Sequence, residues 1–274
     1  MKNANVFILF IVVTVLIGCK QGQVRATPDT VLFKSATLYP EGVDWDAQNR
    51  RFLVTSIRKG EIGSVKEDGS YGVFAKDPRM VSSVGIRIDA KRDRVLVCNA
   101  DPGAAEKSSP ATTGKLAGLA VFRLSTSELI KYIDLAEGID GGHFCNDLTV
   151  DKDGTAYITD SFSPIIYRVD ANYHLSVLIN NEAFSGKSFN LNGIVVKDNY
   201  LLAVKMNSGQ LIKIPLDKPD AFNEVKVGTR IYAADGLAWD ADGSLIVIAN
   251  NNAYVGATPP AATNKVIKLE SSDN

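Results

Sequence analysis

Ala234-Asp235-Gly236-Leu237-Ala238-Trp239-Asp240 is the most regular copy of a pattern that recurs five times in this 274-residue chain. The key positions are Glu41, Val84, Asn146, Asn192 and Asp235. Each stands directly before Gly42, Gly85, Asp147, Gly193 or Gly236. An apolar stretch follows, and five residues after the key position comes Asp46, Asp89, Asp151, Lys197 or Asp240. A turn then leads into a β-rich run at residues 51–56, 94–99, 155–160, 200–205 and 244–250. The steps between key positions are 43, 62, 46 and 43 residues. Several strands repeated at a period in the forties predict an all-β chain of the propeller type. In that architecture the start of each blade's innermost strand faces the central channel, so one position per repeat converges on the axis. A Glu, two Asn and an Asp converging there make a site for a hard divalent cation.

Net charge is −1, and charges of both signs are interspersed along the chain. That excludes an electrostatic case for binding nucleic acid or an anionic membrane surface. The repeat argues for one domain, because each blade buries its faces only against its neighbours. Lys2 and the apolar run at residues 6–17 read as a secretory signal, too short to span a bilayer comfortably. The run ends in Leu16-Ile17-Gly18-Cys19, which resembles a bacterial lipobox with Cys19 as the lipidated residue. The expected division is a signal peptide at 1–19, a tether at 20–29 and the propeller at 30–274. The expected location is the cell envelope, lipid-anchored, with Lys20 favouring the outer membrane. Two cysteines remain, Cys98 and Cys145, in adjacent blades. They are either a disulfide or two small buried hydrophobes.

Residues 31–38 alternate enough to predict a strand leading into Glu41. Residues 60–75, 118–135, 165–179 and 209–227 each hold two β-rich runs split by a polar turn, as outer strands require. Residues 101–115 read as a long loop that accounts for the step of 62, and 250–264 as a second one. After Asp235 there is room for an inner strand pair and one more strand at 265–269. The reading is therefore a six-bladed type with its C-terminal blade incomplete, which leaves an exposed sheet face.

Four segments resemble the SMP-30/gluconolactonase family. They are Pro40-Glu41-Gly42-Val43-Asp44-Trp45, Cys145-Asn146-Asp147-Leu148-Thr149-Val150-Asp151, Leu191-Asn192-Gly193-Ile194-Val195-Val196 and the segment around Asp235. The likeness runs from about Leu38 to Leu269. It implies a calcium-dependent six-bladed propeller, with paraoxonases and diisopropylfluorophosphatase similar at a greater distance. Carried over, the resemblance makes Glu41, Asn146, Asn192 and Asp235 the metal ligands, with calcium the first choice. Asp235 and Glu41 are the candidate catalytic residues, and the attacking group is either a metal-bound water or the Asp235 carboxylate acting as nucleophile or base. Two departures matter. Phe144 stands where sugar lactonases of the family carry an Arg, so the pocket is more apolar. Val84 stands where paraoxonases carry a His, which leaves a His dyad unsupported.

The implied function is a membrane-anchored, metal-dependent hydrolase of a lactone or another ester, phosphotriesters included. The alternative is a lipid-anchored propeller that binds a ligand or partner without catalysis. A third reading is a degraded, non-functional gene product. Asp-Gly and Asn-Gly pairs also serve simply as left-handed turns, a reading that Glu41 resists. Asp147 reads as an acceptor behind the metal, as a group that reaches the metal or the substrate, or as a plain turn aspartate. His143 reads as a substrate contact or general base, or as a surface-loop histidine. Asp46, Asp89, Asp151 and Asp240 read as turn formers at the far end of the inner strands. Asp160-Ser161 mimics a nucleophile, but no His partner for the serine is evident.

Overall fold

The computed structural model describes residues 28–250 and 265–271. By contact the chain divides into Met1–Thr30 and Val31–Asn274. The signal segment with Cys19, most of the tether and nearly all of the predicted 250–264 loop lie outside the described residues. Among the described residues there are twenty strands and three single-turn 3₁₀ segments, and no helix is long and apolar enough to cross a membrane.

The strands form five antiparallel meanders, each a blade. Blade 1 is β1 (Val43–Asp46), β2 (Arg51–Thr55), β3 (Ile62–Lys66) and β4 (Tyr71–Ala75). Blade 2 begins with β5 (Ser82–Asp89) and β6 (Arg94–Ala100). A long loop leads to the two-residue β7 (Lys115–Leu116), and β8 (Gly118–Arg123) and β9 (Leu129–Asp134) complete the blade. Blade 3 is β10 (His143–Val150), β11 (Ala156–Asp160), β12 (Ile165–Val169) and β13 (Leu175–Asn180), and β7 joins it parallel to β10. Blade 4 is β14 (Leu191–Lys197), β15 (Tyr200–Lys205), β16 (Gln210–Pro215) and β17 (Asn223–Glu224). Blade 5 is β18 (Ala234–Trp239), β19 (Leu245–Ala249) and β20 (Lys265–Leu269). The fold is an all-β propeller arrangement with five blades, consistent with an incomplete six-bladed ring.

The core explains why the strands are apolar on both faces. Successive side chains on a strand point to opposite sides of the sheet. On β6, Val95 and Val97 pack with Leu53 and Ile62 of blade 1, while Leu96 and Cys98 pack with Leu148 and Ile158 of blade 3. Equivalent layers lie between blades 3 and 4, around Ile166, Ile194 and Ala203, and between blades 4 and 5, around Leu202, Leu237 and Val247. The outer face of blade 1 carries a smaller cluster of Leu38, Val54 and Val65, covered by Val31 and Phe33. Residues 31–38 are therefore packed against blade 1, but as irregular chain and not as the strand their alternation predicts. Apolar contact and a hydrogen bond from Ser56 Oγ to the Leu38 carbonyl at 2.5 Å hold them without a ladder. Cys98 and Cys145 are free thiols buried in the layer between blades 2 and 3.

Candidate functional site

Each key position from blade 2 to blade 5 sits on a β-bulge. The pairing register shifts between Ser83 and Ile86, between Cys145 and Leu148, between Leu191 and Ile194, and between Ala234 and Leu237. A bulge sets two residues against one and re-aims the side chain there. It is how the strand turns one residue per blade toward the channel without losing its hairpin.

The glycine after the key position has a tertiary reason. Gly42, Gly85 and Gly193 do not hold left-handed backbone conformations. A methyl group on Gly42 would stand 2.5 Å from the Val84 carbonyl oxygen; on Gly85, 2.5 Å from that of Asn146; on Gly193, 2.3 Å from that of Asp235. These glycines let each inner strand touch the backbone of the next. At Gly42, Gly85 and Gly193 the left-handed-turn reading is thereby replaced by one of close approach, while Gly236 has neither a left-handed backbone nor a close neighbour.

Glu41, Asp147 and Asp235 line one cavity of about 540 Å³ along the axis. The wall continues through Asp44, Arg87, Val150, Val196 and Trp239, with Ile246 and Ile248 on blade 5. Asn146 and Asn192 are buried just behind that lining. Asn192 Nδ2 donates to Asp235 Oδ1 at 2.6 Å, and Asn250 Nδ2 donates to the other carboxylate oxygen. Asn146 Nδ2 donates to Ser161 Oγ at 2.7 Å, and Ser161 Oγ donates to the Leu191 carbonyl at 2.5 Å. A hydrogen-bonded chain thus runs from Asn146 through Ser161 and the start of β14 to Asp235. Both amide nitrogens are spent on the protein. No described group donates to Asn146 Oδ1 or Asn192 Oδ1.

The carboxylates are held against their preference. Glu41 stays water-accessible through the open channel, yet the channel wall crowds it. Loss of hydration, followed by the charges of Asp235 and Asp147, pushes its pKa well above the ordinary value. Desolvation also raises Asp235 and Asp147. Arg87 is the single cation among the cavity residues, 3.4 Å from Asp147 Oδ2. Asp147 further accepts from the Leu148 amide at 2.8 Å and the Ile194 amide at 3.3 Å. It therefore stitches blade 3 to blade 4 where other blades have glycine, which goes beyond the role of a plain turn aspartate.

Among the described residues no group of three or more His, Cys, Asp or Glu side chains is arranged to hold a metal. The sequence-derived quartet is of another kind, two carboxylates and two amide oxygens. Its unclaimed amide oxygens and its surplus of negative charge fit an oxygen-seeking dication.

His143 lies inside blade 3, not on the cavity wall. The ring is 2% exposed, with Nδ1 2.8 Å from Asp160 Oδ2 and Nε2 3.1 Å from the Ile139 carbonyl. Tyr167 donates to the same Asp160 oxygen at 3.0 Å. The Asp160 hydrogen bond raises the His143 pKa against a smaller opposing effect of burial. Ser161 has Asn146 and Leu191 as partners, so no serine–histidine pair forms. Asp46, Asp151 and Asp240 do organise far-end turns, whereas Asp89 accepts from the Arg92 and Arg94 side chains and caps no turn amide. Asp46 accepts from Asn49 and Arg51, and Asp151 from the Asp153 and Thr155 amides.

In blades 3, 4 and 5 the residue immediately after the second strand contacts the key residue of its own blade. Ser161 reaches Asn146, Met206 reaches Asn192 and Asn250 reaches Asp235, at separations of 15, 14 and 15. This second register emerges only from the hairpin that brings the two positions together.

Solved structures with the same architecture have low identity to this chain, which carries the fold alone. A chain of a nidogen/laminin complex matches at 17% identity and TM-score 0.52, covering 72% of this chain and 66% of its own. Streptogramin B lyase matches at 14% and 0.58, covering 79% and 64%. A chain assigned as a gluconolactonase matches at 15% and 0.57, covering 80% and 74%. This chain thus spans slightly less than two thirds of the first two. No curated protein matches its sequence. The SMP-30/gluconolactonase/LRE-like region model matches residues 39–266, which takes in all five key positions and the four bulges. By that match, over most of its length, the chain belongs to the SMP-30/gluconolactonase/LRE-like family.

Proposed function

We propose that this protein is a calcium-dependent hydrolase of a lactone or another ester. The observation that carries the reading is the set of in-register oxygen ligands, with the Asn192–Asp235 hydrogen bond joining two of them across a blade boundary. Glu41, Asp235, Asn146 Oδ1 and Asn192 Oδ1 would hold the ion. When bound, the dication supplies Lewis-acid polarisation of the ester carbonyl.

The chain's own part centres on Asp235. Two amide donors, from Asn192 and Asn250, fix the orientation of its carboxylate. Asp235 takes the proton from the attacking water as the new C–O bond forms. It returns that proton to the alkoxide as the ester C–O bond breaks. Phe144, where a cation was expected from the family, is buried against Phe162 and Phe189 and is not part of the cavity wall, so the expected apolar character of the pocket finds no support in the lining.

The test is a calcium titration of the thermal melt of the full-length chain with a chelator control, in parallel with a lactone and ester screen. Calcium should raise the melting temperature of the parent and not of Asp235→Asn, and that variant should lose about 100-fold or more in kcat/KM. A variant that hydrolyses like the parent sinks the Asp235 mechanism. A flat calcium response from a well-folded parent points to a propeller that binds without this metal.

A further inference from the structure

Arg87 is the one cavity side chain whose charge opposes the rest, and it reaches across the axis. It projects from β5 of blade 2. Its Nη1 donates to the Ile86 carbonyl at 2.8 Å. Its Nη2 lies 3.4 Å from Asp147 Oδ2 on blade 3 and 3.4 Å from the Leu237 carbonyl on blade 5. Blades 2 and 5 are not neighbours in the ring: β5 packs against β1 and β10, and β18 against β14. The guanidinium therefore sits within the channel next to the carboxylate cluster. Two of its contacts are long, so it is placed by charge more than by strong hydrogen bonds. The side chain is about one quarter exposed, which keeps it in contact with channel water.

We propose that Arg87 is a resident counter-cation: it holds the carboxylate cluster together when no metal is bound and sets a ceiling on metal affinity when one is. This rests on the metal reading given above. Without a dication, Glu41, Asp147 and Asp235 face one another with Arg87 as their only cavity cation. A dication brought to Glu41 and Asp235 meets a fixed positive charge in a space of limited dielectric, and the two repel. The arrangement trades affinity for a ring that stays assembled while empty.

A purely structural arginine predicts that its removal weakens everything. A counter-cation predicts opposite signs for the two states. The experiment is calcium titration calorimetry and chelator-phase melting on the full-length parent, Arg87→Met and Arg87→Lys. Arg87→Met should bind calcium on the order of ten-fold more tightly than the parent and melt lower in chelator. Arg87→Lys should bind within about two-fold of the parent, since it keeps the charge. Should Arg87→Met not fold, Arg87→Gln carries the same expectation. Equal or weaker calcium binding by a folded, neutral variant overturns the proposal. A folded parent that binds no calcium removes the metal reading first, and Arg87 with it, so the two failures are told apart.

Discussion

Blades 3 and 5 each carry a key residue of the same ring, and they are built to different standards. Every residue of β11 is buried, and β10 is buried except for Val150. β10 is packed on one side by β5 and on the other by β14. Its hub is Asp160, which accepts from Tyr167, from the amides of Phe144, Phe162 and Ser163, and pairs with His143. Blade 5 has three strands among the described residues, and β20 is half-buried to exposed throughout. Its inner strand packs on β14, and its other face presents Ile248 and Val266 to solvent, Val266 at 71%. A methyl group on Gly236 would meet only Ile248 of its own blade, at 3.7 Å, whereas the equivalent group on Gly193 runs into backbone. The lesson is that Asn146 is positioned by packing, while Asp235 is positioned mainly by hydrogen bonds from Asn192 and Asn250. A cation joining them would stiffen blade 5 more than blade 3.

The most severe test of that contrast uses the glycines. Gly193→Ala should destabilise the chain by about 3 kcal/mol, because strand backbone, not a flexible side chain, must give way. Gly236→Ala should change stability by less than about 0.5 kcal/mol. Chemical denaturation measures both, and equal losses would mean the blade 5 face is packed after all. Next in size is Asp160→Asn, at about 2 kcal/mol near neutral pH, because His143 loses its charged acceptor and the hub its symmetry. The His143 pKa is raised by Asp160, so the pair's contribution is complete below the ordinary imidazole value of 6.5 and fades as pH rises through the raised one. The gap between parent and Asp160→Asn should narrow accordingly with rising pH. A constant gap would make the hub a matter of shape alone.

The smallest effect belongs to Glu41. Its raised pKa means that the fold binds that proton more tightly than the unfolded chain does. In chelator, its contribution to stability therefore falls as pH climbs from the ordinary value of 4.5 through the raised one. Glu41→Gln should flatten that slope, by a few tenths of a kcal/mol given the water that reaches the side chain. In calcium the sign reverses, since the ion prefers the ionised carboxylate. Melting curves across pH, with and without calcium, read both signs. The same slope in parent and variant would show that Glu41 does not feel its acidic neighbours.

Much of this was written along the chain. The repeat positions, the strands near 51–56, 94–99, 155–160, 200–205 and 244–250, and the long loop after Asp101 follow from local alternation and turn residues, which depend on near neighbours in sequence. Oxygen-bearing side chains at four of five key positions are likewise a sequence property. The Asn146–Ser161 and Asp235–Asn250 contacts, the His143–Asp160 pair and the irregular course of residues 31–38 are not. They depend on hairpin register and on tertiary packing.

The sequence by itself determined an all-β propeller of the SMP-30/gluconolactonase/LRE-like family and which residues can offer oxygen to a cation. Tertiary structure alone decided why the glycines are there, where His143 points and which cation stands across the channel. Alternation and spacing are read along one strand. The closeness of Gly193 to Asp235, or of Arg87 to Leu237, is set by how strands far apart in sequence pack around a common axis.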